Sequence, residues 1–427
     1  MMKNSIKLLT VAAIAAVAFA SCKKDEGIKY LSSNITIDES GLDGAPAPDS
    51  YVVTFTSTST EFVREKNSNG NTVSIDSLVT GVYNITVQAQ FSYAGYAYNY
   101  IGTAKDVEVS ADGVECTVKV AATKAAALLV KEVYYNSCKD DKNANYMKDL
   151  FVEVYNNSDQ TVYADGICLA MTLSPNTYEW KYIKAGTEVE DSKGKKVTYE
   201  YDLGIQNDDQ YVFVGMTVWQ IPGEGKTYPI EPGESFVIAG YAMDHTTIAS
   251  NSIDLSTAEF ETYCDHYGEK GQSDCNAINM NLVAPVSNPT NNFWLTVTGR
   301  GFILFHQDAP VRGTDFIRSS NYPTSVGLEV LKSDVIDAVD LINNATTKKW
   351  VPEDLDAGYV LSQGNYCGKS VLRKVQSNEN GKLTLQDTNN STEDFITCED
   401  ASLENKAKQI RRYGVGRPSW STWTSAQ

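Results

Sequence analysis

The chain has 427 residues, 42% of them hydrophobic and 21% charged, a composition that excludes wholesale disorder. Its length suits two or three domains, each able to bury its own core. A formal net charge of -18 argues against nucleic acid as a partner, because phosphate backbones demand basic surface. Three histidines leave little material for imidazole chemistry.

The N-terminus reads MMKNSIKLLTVAAIAAVAFASC. Lys3 and Lys7 form a positive leader, and Leu8 to Phe19 form an apolar run. That run is shorter than the ~20 residues of a permanent membrane helix, but it has the length and flanks of a secretory segment. It ends in Phe19-Ala20-Ser21-Cys22, which resembles the bacterial lipobox, where the Cys thiol receives diacylglycerol and becomes the mature N-terminus. Phe19 and Ser21 stand where Leu and Gly or Ala are usual. Several acyl chains on one residue anchor a protein stably. The following Lys24-Asp25-Glu26 resembles the surface-export signal of Bacteroidota-type lipoproteins. The resemblance implies a signal peptide over 1–21, a lipidated Cys22, a tether over 22–29 and display on the outer membrane. Removal of residues 1–21 deletes Lys3 and Lys7 and takes the net charge from -18 to -20.

Residues 30–123 alternate with period two. Tyr51-Val-Val-Thr-Phe-Thr, Val73-Ser-Ile, Tyr83-Asn-Ile-Thr-Val-Gln-Ala, Val107-Glu-Val and Cys116-Thr-Val-Lys-Val-Ala predict short strands. Turn clusters at 41–48, 67–71, 80–81 and 110–113 separate them. The spacing predicts a β-sandwich. The run Ile75 to Val87, with Leu78, Gly81, Tyr83 and Ile85, resembles the strand-turn-strand of transthyretin-like and collagen-adhesin B-type repeats, which implies a spacer. Within the block, Phe91-Ser-Tyr-Ala-Gly-Tyr-Ala-Tyr-Asn-Tyr places Tyr96, Tyr98 and Tyr100 on one strand face, with Gly95 as a candidate bulge. Such a stripe either packs a core or edge or stacks on sugar rings; packing is the commoner use. Asp76-Ser77-Leu78 resembles a short bacterial O-glycosylation acceptor centred on Ser77.

Residues 124–427 open with Leu128-Leu-Val-Lys-Glu-Val and Phe151-Val-Glu-Val-Tyr-Asn, then Ser158-Asp159 and Asp165-Gly166-Ile167. Later come Pro232-Gly-Glu-Ser-Phe-Val-Ile, Asp337-Ala-Val-Asp, Ser370-Val-Leu-Arg and Asp387-Thr-Asn-Asn-Ser-Thr-Glu-Asp-Phe. In this order the pieces resemble a lamin-tail domain, an immunoglobulin-like sandwich, with Asp165 where that pattern's Leu is usual. The resemblance extends to an uncharacterised family of Bacteroidota-type surface lipoproteins carrying an enlarged domain of this kind. It implies that the closing strands come from the far end of the chain. The stretches near 172–225 and 241–300 are long for loops and are expected to be insertions. The expected fold is all-β: a transthyretin-like or immunoglobulin-like sandwich, then a larger lamin-tail-like one.

Cysteine chemistry follows from the expected export. Beyond Cys22 and Cys116, six cysteines allow fifteen connectivities. Sequence proximity suggests Cys264 with Cys275, Cys367 with Cys398, and Cys138 with Cys168, with buried thiols as the alternative. Cys264, His266 and Cys275 lack the paired spacing of a structural zinc site, so a disulfide loop is preferred and no metal is expected. The acidic run from Asp140 to Asp149 fails calcium-loop spacing, because Tyr146 falls where glycine is required. Gly364 to Ser370 imitates a phosphate loop but has three residues between its glycines instead of four. No G-x-S-x-G or H-E-x-x-H occurs. Paired carboxylates such as Asp337/Asp340 and Asp354/Asp356 read as solvated. No catalytic residue and no cofactor are expected.

These readings describe a lipid-anchored, surface-exposed binder of an extracellular glycan or protein, with a spacer domain and a second domain that presents binding loops, and with an outer-membrane transporter as an expected partner. The oligomeric state is left open. The alternative is an extracellular hydrolase of polysaccharide or peptide, which would place two facing carboxylates in a concave site.

Overall fold

Alternation of apolar and polar residues makes almost every element a strand. In the computed structural model of the protein, the described residues are 29–172, 186–190, 194, 196–198, 210–263, 274–285, 300–307, 316–318, 326–342, 349–361, 364–379 and 382–396. The signal segment, Cys22, Cys264, His266 and Cys398 lie outside them. The chain is all-β and divides into two compact units. The first holds residues up to 41, 49–88 and 101–121; the second holds 42–48, 89–100 and 122 onward.

The first unit is built on β1 (Leu31–Gly41), β2 (Val52–Ser57), β3 (Val63–Asn67), β4 (Thr72–Leu78), β5 (Gly81–Tyr93), β6 (Tyr96–Val109) and β7 (Glu115–Ala126), with residues 89–100 and 122–126 of the last three belonging to the second unit. They form one sheet in the order β3-β2-β5-β6-β7-β1-β4. β1 runs parallel to β7 and antiparallel to β4. A short turn joins β3 to β4, and Lys66 Nζ on β3 donates to the Ser74 carbonyl on β4 at 2.5 Å. The two end strands therefore meet, and the faces of the expected sandwich are halves of one rolled sheet. Alternate residues fill it: Ile35, Ile37, Val53, Phe55, Ile85, Val87, Val118 and Val120 are buried. β3 has no buried residue at all, so its alternation carries no apolar signal.

The second unit's main strands are β8 (Leu128–Tyr134), β9 (Phe151–Asn156), β10 (Ile167–Thr172), β11 (Tyr211–Gln220), β12 (Ser235–Ala239), β13 (Gly301–His306), β14 (Val326–Leu331), β15 (Val335–Ile342) and β16 (Val371–Arg373). One sheet runs from Ile278–Asn279 through Phe260–Glu261, β12, β9, β8 and β16 to Phe395–Ile396. The other runs from Phe316–Arg318 through β14, β11, β10, β13 and β15 to Val360–Leu361, with Asn281–Pro285 also paired to β11. β8, β9 and β12 are buried at every position. Ala242, Ile253, Leu255 and Ala258 cluster with Tyr134, Phe151, Val237 and Ala239, so the loop after β12 helps cover this sheet. Burial on both faces takes in charged residues as well: Lys131 on β8 and Glu153 on β9 are buried and meet at 3.1 Å.

The two long stretches expected as insertions contribute to both sheets. β11 is an interior strand, bonded to β10 and β14, while Phe260–Glu261 and Ile278–Asn279 extend the first sheet. The closing segment arrives as expected: Val371 pairs with Val133 and Leu372 with Glu132, placing β16 beside β8. Arg373 locks it there. Its Nε donates to the Val130 carbonyl at 2.7 Å and its Nη2 to Asp337 Oδ2 at 2.6 Å. Nη1 reaches Asp387 and Asp394, and the guanidinium lies 4.7 Å from the Phe395 ring centroid.

Candidate functional site

The site grows from the turn that starts β10. Gly166, at φ 74°, turns the chain sharply, and the preceding Asp165 carboxylate becomes the hub of a second turn, residues 222–228. Asp165 Oδ1 accepts from the Gly225 amide at 3.0 Å and the Thr227 amide at 2.9 Å, and Oδ2 accepts from the Tyr228 amide at 2.9 Å. A Cβ on Gly223, where φ is 137°, would sit 2.0 Å from Asp165 Oδ1, so only glycine passes there. Glu224 N donates to Thr227 Oγ1 at 3.0 Å. Burial pushes the Asp165 pKa up, but hydrogen bonds from the Thr227 side chain and the Tyr228, Thr227 and Gly225 amides outweigh it, so the carboxyl sits below the usual range.

Beside this clamp lies a half-open cleft of about 330 Å³. Asp165, Gly166 and Pro222 to Gly225 form one wall, and Gln220, Asn281, His306 and Gln307 form much of the rest. Strand register assembles these residues. Gln220 at the end of β11 pairs with Cys168 on one side and Asn281 on the other, and His306 at the end of β13 pairs with Ile167. Gln220 Nε2 donates to the Gln307 carbonyl at 2.6 Å. The His306 ring crosses over Gly166, where a Cβ would lie 2.7 Å from Nε2. Three side-chain amides, each able to donate and accept, therefore share one cleft with an imidazole.

An aromatic pair adjoins it. Ala94 and Gly95, at φ 54° and 77°, make a two-residue turn between β5 and β6, so Gly95 is a hairpin turn position and not the anticipated bulge. The turn leaves Tyr93 42% exposed. Its ring centroid lies 5.6 Å from that of His306 and 6.4 Å from that of Phe91, the last two planes inclined by 13°.

The aromatic stripe takes the packing use, not the sugar-stacking one. Tyr96, Tyr98 and Tyr100 are 7%, 6% and 2% exposed. The Tyr96 hydroxyl donates to the Val335 carbonyl and the Tyr100 hydroxyl to the Pro46 carbonyl, so the stripe packs a core and offers sugars no face. Tyr93, on the strand before the turn, is the aromatic of this hairpin left exposed, while Phe91 is half-buried.

The cysteine pairing of Cys138 with Cys168 also fails. Both are free, buried thiols; Cys168 is at the centre of the β10 sheet, while Cys138 Sγ donates to Asp149 Oδ2 at 3.4 Å. Burial pushes the Cys138 thiol up to about 12, helped by the Asp149 charge. Cys367 is an exposed free thiol, its suggested partner Cys398 lying outside the described residues; the same is true of Cys264, suggested for Cys275. Ser77 is half-buried at the end of β4.

Asp337, Asp340 and Asp356 are buried struts, whereas Asp354 is solvated as expected. Asp337 holds Arg373 and the Val130 amide. Asp340 Oδ2 accepts from the Trp350 and Val351 amides, and Asp356 accepts from Ser391, Gly358 and the Asp340 amide. Asp354 takes Lys332 at 2.6 Å. His245 is fully buried, its Nε2 on the Tyr241 carbonyl and its Nδ1 on the Tyr146 hydroxyl at 2.6 Å. Among the described residues no cluster of three or more His, Cys, Asp or Glu is arranged to hold a metal, and no helix is long and apolar enough to cross a membrane.

Sequence reasoning missed the cleft. One signal was visible: Asp165 departs from the resembled pattern at the position that builds the clamp.

Comparison with known proteins follows the same outline. Residues 231–402 match the model of the family described as "Protein of unknown function (DUF4876)". A crystal structure of a DUF4876 family protein from Bacteroides thetaiotaomicron is 25% identical, with a TM-score of 0.55 over 92% of this chain and 99% of that one. A crystal structure of a "putative adhesin" from Bacteroides ovatus is 9% identical, with a TM-score of 0.18 over 62% of this chain and 98% of that one, a likeness too slight to carry argument. No curated protein matches. Along nearly its whole length, the chain is thus similar to a DUF4876 family protein of Bacteroides.

Proposed function

We propose that this protein is a lipid-anchored surface lipoprotein that captures an extracellular glycan in the Asp165–His306 cleft. The observation that carries the reading is the composition of that cleft: Gln220, Asn281 and Gln307 line it, and exposed Tyr93 stands against His306 at its side. Sugar rings present hydroxyls that both donate and accept, and apolar faces that lie flat on aromatics; amides and a tyrosine ring answer both needs. Asp165 is spent on three backbone amides and held ionised. It suits neither the acid nor the nucleophile of a glycosidase, and this favours capture over hydrolysis.

The test is an array of glycans, mucins and matrix proteins probed with the protein lacking its signal segment and tether, residues 28–427. Binding to glycans is expected, with Tyr93→Ala and Gln220→Ala each weakening it at least tenfold. Binding confined to unglycosylated matrix proteins would defeat the reading. Shortening of the bound glycan, read as new reducing ends, would move the assignment to a hydrolase.

A further inference from the structure

We propose that the cleft selects uncharged sugars and turns away acidic ones, because its own anion-binding turn is already filled by Asp165. The inference rests on the glycan reading above. A glycine-rich turn such as Pro222-Gly-Glu-Gly-Lys-Thr-Tyr228 can cradle an anion when its successive amides converge outward. Here they converge inward. The Gly225, Thr227 and Tyr228 amides end on the Asp165 carboxylate, and the Glu224 amide ends on Thr227 Oγ1. Four backbone donors of the turn are thereby withdrawn from any ligand.

The charges agree with that arrangement. Asp165 and Glu224 line the cleft, and among the described residues no lysine or arginine does. Lys226 of the same turn is exposed and is not part of the lining. A uronate, sialic acid or sulfated sugar would bring its charge beside two carboxylates in a half-enclosed space, with no lysine or arginine among the described lining residues to answer it. Its carboxylate or sulfate accepts only, so it could use the amide nitrogens of the cleft but not their oxygens. One of the two Gln220 Nε2 hydrogens is already given to the Gln307 carbonyl. Hydroxyls of a neutral sugar can use amide oxygens and nitrogens alike.

The experiment uses the full chain, purified in detergent. Its affinity is measured for neutral oligosaccharides, including lactose, cellobiose, maltose and mannobiose, and for acidic counterparts, including sialyllactose, digalacturonate and heparin disaccharides. The expected result is that the glycans bound are uncharged and that an acidic group weakens binding at least tenfold within a matched pair. In Glu224→Lys the penalty should shrink severalfold. An acidic sugar bound as tightly as its neutral partner would overturn the selection while leaving glycan capture standing. An unchanged neutral-to-acidic ratio in Glu224→Lys would overturn its electrostatic cause. Failure of every sugar to bind would remove glycan capture itself, and the selection with it.

Discussion

Arg373 serves several acceptors at once from a position 2% exposed. A buried guanidinium is tolerated only when its donors are met and its charge is balanced. Val130, Asp337, Gln386 and Asp387 meet them. Arg373→Met should cost about 3–5 kcal/mol in urea unfolding, since it strands the buried Asp337 carboxylate. Arg373→Met combined with Asp337→Leu should recover much of that loss, a coupling that a double-mutant cycle reads directly. Asp340 offers a second residue-scale test. Burial pushes its carboxyl up to about 6, the Val351 and Trp350 amides pulling the other way. An acid raised above its unfolded value of about 3.9 binds a proton more tightly when folded. Its contribution therefore favours the folded state as pH falls from about 6 to 4 and penalises it above 6. Asp340→Asn should gain stability relative to the wild type at pH 7.5, and this gain should fade by pH 4. Parallel melting curves at the two values check it; a gain that grows on acidification would show the sign to be wrong.

At the scale of elements, the closing segment is where sequence pattern and structure meet. Ser370 to Arg373 and Asp387 to Phe395 resemble pieces of a lamin-tail domain, and the structure gives them physical duties. Val371 and Leu372 pair with β8. Asn390 caps the short helix Ser391–Asp394 by accepting from the Thr392 and Glu393 amides. Asp394 accepts from Thr388 and meets Arg373. A chain ending near residue 365 loses this clamp and leaves β8 with unpaired donors and acceptors. It also uncovers Val371, Leu383 and Leu385, which are buried, at ~1.5–3 kcal/mol each against a usual total of roughly 5–15 kcal/mol. Such a chain should be insoluble or lack a cooperative transition, by solubility and by thermal melting. Melting at the full-length temperature would make the segment an appendage. The hairpin of β5 and β6 shows the limit of pattern. Its alternation was plain, but the burial of Tyr96, Tyr98 and Tyr100 and the exposure of Tyr93 were set by what packs against each strand and not by the pattern.

For the whole molecule, the first expectation concerns the anchor. Cys22→Ala should release the protein into soluble fractions or leave it unprocessed; retention with membranes after a high-salt wash would refute lipidation. The all-β class and the far-end closure of the second unit were legible, because period-two alternation and turn residues are local properties that act in every strand alike. The rolled first sheet was not, since β3 is exposed throughout and nothing in its composition marks it as half of a closure. Nor was the role of Tyr211–Gln220, which lies inside an expected insertion yet pairs with β10 and β14. The cleft is the clearest case. Asp165, Gln220, Asn281 and His306 are separated by up to 141 positions of chain, and each alone is an ordinary polar residue. Strand register alone brought them together, and the hydrogen bonds of one turn decided that Asp165 would be a strut and not a reagent. Local alternation determined the kind of structure; long-range pairing, which sequence periodicity does not encode, decided where its chemistry converges.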